Sequence, residues 1–228
     1  MTIIAVCGLT KEAEIVGTDG VVAVAGGGDA KALAEKLDAL HGDISGVISI
    51  GLGGALSPHL RVGDIVIGER VIAGPDVFLC DNLWRVTMAA RLRAGQQGAV
   101  AASNTVVYSV AAKAALFEAS GGALAVDMES QVAARFAAKR NLKLAVLRVI
   151  SDDAAHALPP AALVAMKPDG GVALGRVLWS LAKKPLQLPA LIRTGRDSSK
   201  AFKRLLRCRG LLGPGLGGRL GGLGGVNL

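Results

Sequence analysis

The residues best equipped for chemistry in this chain fall in two short stretches. Val126-Asp-Met-Glu-Ser130 sets acids beside a methionine where a short strand meets a helix. About twenty residues later, Leu147-Arg-Val-Ile-Ser-Asp152 reads as an apolar strand carrying Arg148, Ser151 and Asp152 at its end. Together they place two carboxylates, Glu129 and Asp152, and one guanidinium at element ends, where α/β enzymes build their active sites. Glu12 and Glu14 follow the first strand and add two more acids at a junction. Asp152 stands out because Arg148 and Ser151 share its strand end, whereas Asp153 reads as a solvated neighbour or helix cap. A single acid is more often surface charge than machinery, so it is the grouping at junctions that marks these four.

Two glycine turns follow strands, Gly26-Gly-Gly28 and Gly51-Leu-Gly-Gly54. Neither fits the dinucleotide fingerprint G-x-G-x-x-G, and there is no G-x-x-x-x-G-K-[ST] loop. They can offer backbone N–H groups to an anion or a ribose, or simply let backbone pack closely at strand ends. His41, His59 and His156 lack metal-ligand spacing, and no G-x-S-x-G elbow exists for a hydrolase triad. They read as surface or loop histidines.

These residues need a scaffold to bring them together. Apolar runs at Ile3–Val6, Val21–Ala25, 46–50, 63–67, 98–102, 124–126 and 144–150 read as strands. Between them, Asp29 caps a helix over 30–40, and helices follow over 110–120 and 129–140. Strands alternating with helices predict a three-layer αβα fold around a twisted, mixed but mostly parallel sheet. A further helix is expected over 171–182 and a basic stretch over 191–209. Residues 210–228 hold nine glycines in nineteen positions and are expected to be disordered. The chain thus divides into a catalytic domain (1–182), a basic C-terminal arm (183–209) and a glycine- and leucine-rich tail (210–228).

Composition narrows the function. At 228 residues and 51% hydrophobic there is ample material for one core, but aromatics are only 3%. That argues against a surface built on aromatic stacking, as in single-strand nucleic-acid binders. The net charge of +8 is unevenly spread. From Arg176 onward there are eleven Lys or Arg and one acid, Asp197, while the first 175 residues hold fifteen basic and seventeen acidic side chains. A near-neutral domain with a basic end favours an anionic surface such as lipid headgroups, or serves only solubility. No motif supports nucleic-acid recognition. Cys7, Cys80 and Cys208 show no C-x-x-C spacing, so neither a zinc site nor a disulfide framework is expected. Residues 1–8 read as a first strand and not a signal peptide, and the run from Leu158 to Leu181 is too broken by Pro and charge to span a membrane. A cytoplasmic protein, with contact to the inner membrane face through the basic arm, is the expectation.

The motifs Val126-Asp-Met-Glu-Ser130, Arg148-Val-Ile-Ser-Asp152 and Ile50-Gly-Leu-Gly-Gly-Ala-Leu-Ser-Pro58 with Val62-Gly-Asp-Ile-Val66 resemble the purine nucleoside phosphorylase and nucleosidase superfamily. Among its members the motifs look most like the methylthioadenosine/S-adenosylhomocysteine nucleosidases, over roughly residues 1–180. Asp81-Asn-Leu-Trp-Arg85 and Leu188-Pro-Ala-Leu-Ile-Arg-Thr-Gly-Arg-Asp-Ser198 are similar to the hopanoid-associated phosphorylases, implicated in removing adenine from adenosylhopane.

The resemblance implies roles. Asp152 would hold the purine and help protonate N7, since a purine anion leaves poorly without acid help. Burial would raise its pKa for that task. Glu129 would bind ribose hydroxyls, with Met128 packed on the sugar. Ser151 would position the acid or the base edge, and Arg148 would sit near the nucleophile. Glu12, with Glu14 as the alternative, would orient or activate water. Gly53 and Gly54 would line the substrate site. Two departures accompany these matches. The family's nucleophile-binding serine falls on Leu52, and its base-stacking aromatic falls on Val106, with Val107 next. An aliphatic lining would suit an apolar 5′ substituent. No cofactor and no metal are implied, though phosphate remains open as co-substrate, so hydrolysis and phosphorolysis both stand. A homodimer is implied, as are two alternatives in function: a methylthioadenosine/S-adenosylhomocysteine-type nucleosidase, or a non-catalytic nucleoside-binding module of the same fold.

Overall fold

A computed structural model describes residues 1–163 and 173–218. Eight strands form one mixed sheet: β1 (Thr2–Cys7), β2 (Val21–Ala25), β3 (Ile44–Ala55), β4 (Ile65–Ala73), β5 (Asp76–Leu79), β6 (Gln96–Ala102), β7 (Ala125–Asp127) and β8 (Lys143–Asp152). The helices are α1 (Thr10–Val16), α2 (Ala30–Asp38), α3 (Asn82–Leu92), α4 (Val110–Ala119), α5 (Ser130–Lys139), α6 (Pro160–Leu163), α7 (Leu174–Lys183) and α8 (Leu188–Leu212).

The sheet has five parallel pairings, β1 with β2 and β3, β3 with β8, β4 with β6, and β6 with β7. The pairings β3–β7, β4–β5 and β4–β8 are antiparallel. Because β8 pairs with both β3 and β4, the path β3–β7–β6–β4–β8 closes on itself. The expected αβα layering is present, and this closure is an addition to it. Strand β1 shows why the apolar runs are continuous. Ile3, Ala5 and Cys7 join one core and Ile4 and Val6 the other, so both faces are covered. Leu33 and Leu37 of α2 and Val132 and Phe136 of α5 pack on the second face.

The first face is closed by α1, α3 and α8. Helix α8 buries Ala201, Leu205, Cys208 and Leu212, spaced four, three and four, which is one stripe of a helix. The segment read from sequence as a basic arm is therefore a core helix whose outer face is basic. Residues 210–218, grouped in that reading with a disordered tail, are ordered as well. They finish α8 and turn so that Leu216 is buried and its carbonyl accepts the Trp84 indole N–H at 3.0 Å. Residues 219–228 and the expected helix start at 171–172 lie outside the described residues. Sequence reading also passed over α1, α3 and β5, and gave β3 only residues 46–50. The glycines of Gly51-Leu-Gly-Gly54 continue that strand instead of turning out of it.

Candidate active site

Burial separates the two glutamates that follow β1. Glu12 is buried on the inner side of α1 and Glu14 is exposed on the outer side, as two positions about 200° apart on a helix must be. Glu12 reaches back over the start of its helix. Its Oε2 accepts the N–H of Gly8 (2.8 Å) and Leu9 (2.9 Å), and its Oε1 accepts that of Leu52 on β3 (2.8 Å). It caps the helix and also pins it to the sheet. Burial pushes its pKa up, against the pull of these three N–H groups and of Arg148.

Glu129 arrives from the other side of Gly8. A β-carbon at Gly8 would stand 3.0 Å from Glu129 Oε1, and one at Gly51 would stand 2.8 Å from the Glu12 carboxyl carbon. Glycine at both positions is what allows two carboxylates to approach one strand end. Burial raises Glu129 to about 8, with the neighbouring charge of Asp127 adding to the rise and Arg148 opposing it. Glu129 and Met128 line a small cleft with Gly26, Gly28, Asp29 and Asn104. Gly27 (φ 65°) and Gly28 (φ 79°) adopt the left-handed backbone this turn requires.

Arg148 lies fully buried beneath these acids. Its Nε and Nη2 bind Asp127 Oδ2 and Ser49 Oγ, and Nη2 also reaches Ser130 Oγ at 3.1 Å. Asp127 in turn accepts the Ser130 N–H (3.0 Å) and hydroxyl (2.5 Å). The arginine expected near the nucleophile is thus bound to Asp127 in the floor. It acts on Glu12 and Glu129 through its charge. Burial alone would lower its pKa, but Asp127, Glu129 and Glu12 outweigh that and raise it.

Asp152 sits along β3 from Glu12, beside Gly54 where Glu12 meets Leu52, a separation of about 7 Å of strand. A β-carbon at Gly54 would stand 3.0 Å from Asp152 Oδ2, and one at Gly53 3.2 Å from Arg148 Cδ. These two glycines, expected to line the substrate site, make room for charged side chains. Ser151 donates to Asp152 Oδ1 (3.0 Å), with the Gly53 carbonyl at 3.3 Å. Sequence reasoning missed the partner of Asp152. Lys113 on α4 is wholly buried and its Nζ lies 2.6 Å from Asp152 Oδ2. A lone lysine inside Val110-Ala-Ala-Lys-Ala-Ala-Leu was the available signal. Ser49 and Asp127 were missed too, although Asp127 stands inside the quoted motif.

Leu52 offers its N–H to Glu12 while its side chain packs on the core. Val107 packs into a small core with Leu56, Val126 and Phe117, and Val106 stands at the surface, 37% exposed. The Leu158 N–H donates to the Tyr108 carbonyl (2.9 Å), tying the loop of Val106 and Val107 to the loop after Asp152. Ser151 and Asp152 line a second cleft with His156, Arg193, Thr194 and Asp197. Each cleft offers about 10 Å³, room for a single water. Among the described residues, no group of three or more His, Cys, Asp or Glu is placed to hold a metal ion.

The sequence matches the phosphorylase superfamily over residues 9–167, which is more than half of the chain. The chain belongs to the phosphorylase superfamily. No curated protein matches it by sequence. Its fold is that of 5′-methylthioadenosine/S-adenosylhomocysteine nucleosidase from Streptococcus pneumoniae, solved with the transition-state inhibitor MT-ImmA, with TM-score 0.58 at 18% identity, covering 91% of this chain and 99% of that one. The Neisseria meningitidis nucleosidase of the same name aligns with TM-score 0.57 at 17% identity over 91% and 99%. Futalosine hydrolase from Helicobacter pylori aligns with TM-score 0.56 at 14% identity over 66% and 90%. At these identities the likeness is one of fold.

Proposed function

We propose that the protein cleaves the N-glycosidic bond of an adenine nucleoside bearing an apolar 5′ substituent, adenosylhopane being the substrate its motifs suggest. Superfamily membership supports nucleoside bond cleavage, and the folds it shares belong to proteins named as nucleosidases and a futalosine hydrolase. The observation that carries the reading is the gathering of Glu12 and Glu129 about Gly8 over a floor where Arg148 is bound to Asp127. Three buried carboxylates share one guanidinium there. Fully ionised they would leave uncompensated negative charge; burial raises Glu12, and burial with repulsion from Asp127 and Glu12 raises Glu129. An oxocarbenium ion forming between them supplies the missing positive charge. The attraction is therefore greater in the transition state than in the ground state, which is the requirement for catalysis.

In this reading Glu129 holds the ribose hydroxyls with Met128 against the sugar, Glu12 orients the attacking water, and Asp152 serves the leaving purine at N7. Leu52, in place of a phosphate-binding serine, favours hydrolysis. Product analysis with and without phosphate tests this: free ribosyl product in both cases is expected, and ribose 1-phosphate formed only with phosphate would reverse it. Failure of wild type to release base from adenosylhopane or methylthioadenosine would leave a non-catalytic nucleoside-binding module.

The apolar 5′ group and a membrane source for it rest on α7 and α8. Trp179 and Leu186 are 65% and 95% exposed, Leu188 and Ile192 are exposed too, and Lys183, Lys184, Arg193 and Arg196 are interspersed with them along the chain. Exposed apolar side chains interspersed with basic ones suit an anionic bilayer surface. Arg193 and Thr194, next to Ile192, also border the Asp152 cleft. Among the described residues, no helix is long and apolar enough to cross a membrane. Flotation with anionic liposomes should carry wild type upward and leave Leu186→Asp/Ile192→Asp behind; equal partitioning would remove the membrane reading. A homodimer, implied by the resemblance, is expected in sedimentation.

A further inference from the structure

Lys113 occupies a costly position. It lies in the first turn of α4, where the helix dipole disfavours a cation. Its side chain is 0% exposed, and an unpartnered buried charge is expensive. It is held there by three acceptors, Asp152 Oδ2 at 2.6 Å, the Asp153 carbonyl at 2.6 Å and the His156 carbonyl at 3.1 Å. An ammonium has three N–H donors and no acceptor, so these contacts saturate it. Asp152 facing it is therefore a carboxylate at rest. A carboxylate accepts hydrogen bonds and cannot by itself protonate a leaving purine.

We propose that Lys113 is the positioning residue that supplies Asp152 with the proton it passes to the leaving base. This rests on the purine role given to Asp152 above. As the bond from the anomeric carbon to the purine nitrogen breaks, its electron pair goes to the base. A proton passes from Lys113 Nζ to the Asp152 carboxylate and from the carboxyl to N7. Asp152 returns to carboxylate, Lys113 is left as a neutral amine, and after the base departs solvent restores its proton by way of the partly exposed Asp152. The neutral amine keeps two N–H groups for the Asp153 and His156 carbonyls and gains a lone pair toward Asp152. The same three partners therefore satisfy Lys113 while the proton sits on Asp152. The other groups facing the pair are His156, whose Nδ1 lies 2.6 Å from Asp153 Oδ1, Arg193 and Asp197 on α8, and Arg148 beyond Gly53.

Initial rates of adenine release from methylthioadenosine, measured from about pH 5 to about pH 9, test the assignment. Lys113→Met is expected to lower kcat about 100-fold at neutral pH, the ordinary worth of a general acid, with KM changed less than about threefold. The loss should shrink to about tenfold or less at pH 5, where solvent protonates an Asp152 freed of its cation. Lys113→Arg keeps the positive charge but does not give up a proton, so it should retain most of the loss at neutral pH, and Lys113→Met should cost nothing further in an Asp152→Asn background. A loss equal at every pH, or additive with Asp152→Asn, would assign Lys113 a structural role and overturn the proposal. Adenine binding by calorimetry needs no turnover: its affinity should become pH-dependent in Lys113→Met only. Wild type that neither binds nor releases adenine overturns the purine role of Asp152 and this proposal with it, whereas active wild type with parallel profiles overturns the proposal alone.

Discussion

Two neighbouring positions near the C-terminal end of β3 hold carboxylates in opposite electrical circumstances. Around Leu52, Glu12 and Glu129 join Asp127 over a single guanidinium, and both glutamates are held toward their protonated forms. Around Gly54, Asp152 has a lysine of its own and saturated partners. Acids only about two strand residues apart thus have different rest states, set by how many cations the fold brings to each. The first region is short of positive charge and suits a cation formed during reaction. The second carries its proton one atom away and suits a leaving base.

The largest way to break this contrast is at the second position, beside Gly54. Asp152→Asn should lower kcat about 10²–10⁴-fold for base release, the range of a lost general acid, and an unchanged rate would dissolve the distinction. At the first position, Arg148→Met strips the buried Asp127 of its partner and should destabilise the fold by about 3–5 kcal/mol in urea unfolding. Wild-type stability within about 1 kcal/mol would show that the floor is not held by this pair. Glu129→Gln sharpens the same point through pH. The folded-state pKa of Glu129 is about 8, above its ordinary value near 4.5. The stability tied to its proton is therefore present below pH about 4.5 and lost as pH rises to about 8. Relative to Glu129→Gln, wild type should lose on the order of a few kcal/mol across that window, and curves that stay parallel would contradict the buried-acid account. The smallest effect is expected at Glu14→Gln: less than about 0.5 kcal/mol, as for an exposed side chain, and no change in rate.

Much of this arrangement was readable from local pattern. The capping aspartate before α2, the strand runs and the acids at junctions all lie in short windows, where side-chain period and cap chemistry act. The junction acids could be found because strand ends and helix starts leave backbone N–H groups open. The preference for Glu12 over Glu14 came from the resemblance, and the contact that sets their burial apart lies with the Leu52 N–H forty residues away. Helix α8 was misread for a related reason. Its basic face dominates composition, while its buried stripe of Ala201, Leu205, Cys208 and Leu212 is meaningful only against the first face of the sheet. The extension of β3 through Gly51-Leu-Gly-Gly54 was also hidden, because glycine after an apolar run usually ends a strand. Here the absence of side chains makes room for Glu12, Arg148 and Asp152.

The amino-acid order therefore decided the αβα layering, the superfamily motifs and which acids stand at element ends, since each follows from interactions within a few residues. Tertiary structure decided the electrical state of those acids. Lys113 meets Asp152 across 39 positions and Arg148 meets Asp127 across 21. Such pairings depend on the path of intervening loops and strands, which leaves no periodic trace along the chain. Burial then amplifies each pairing, because charge–charge attraction and desolvation both grow as water is removed.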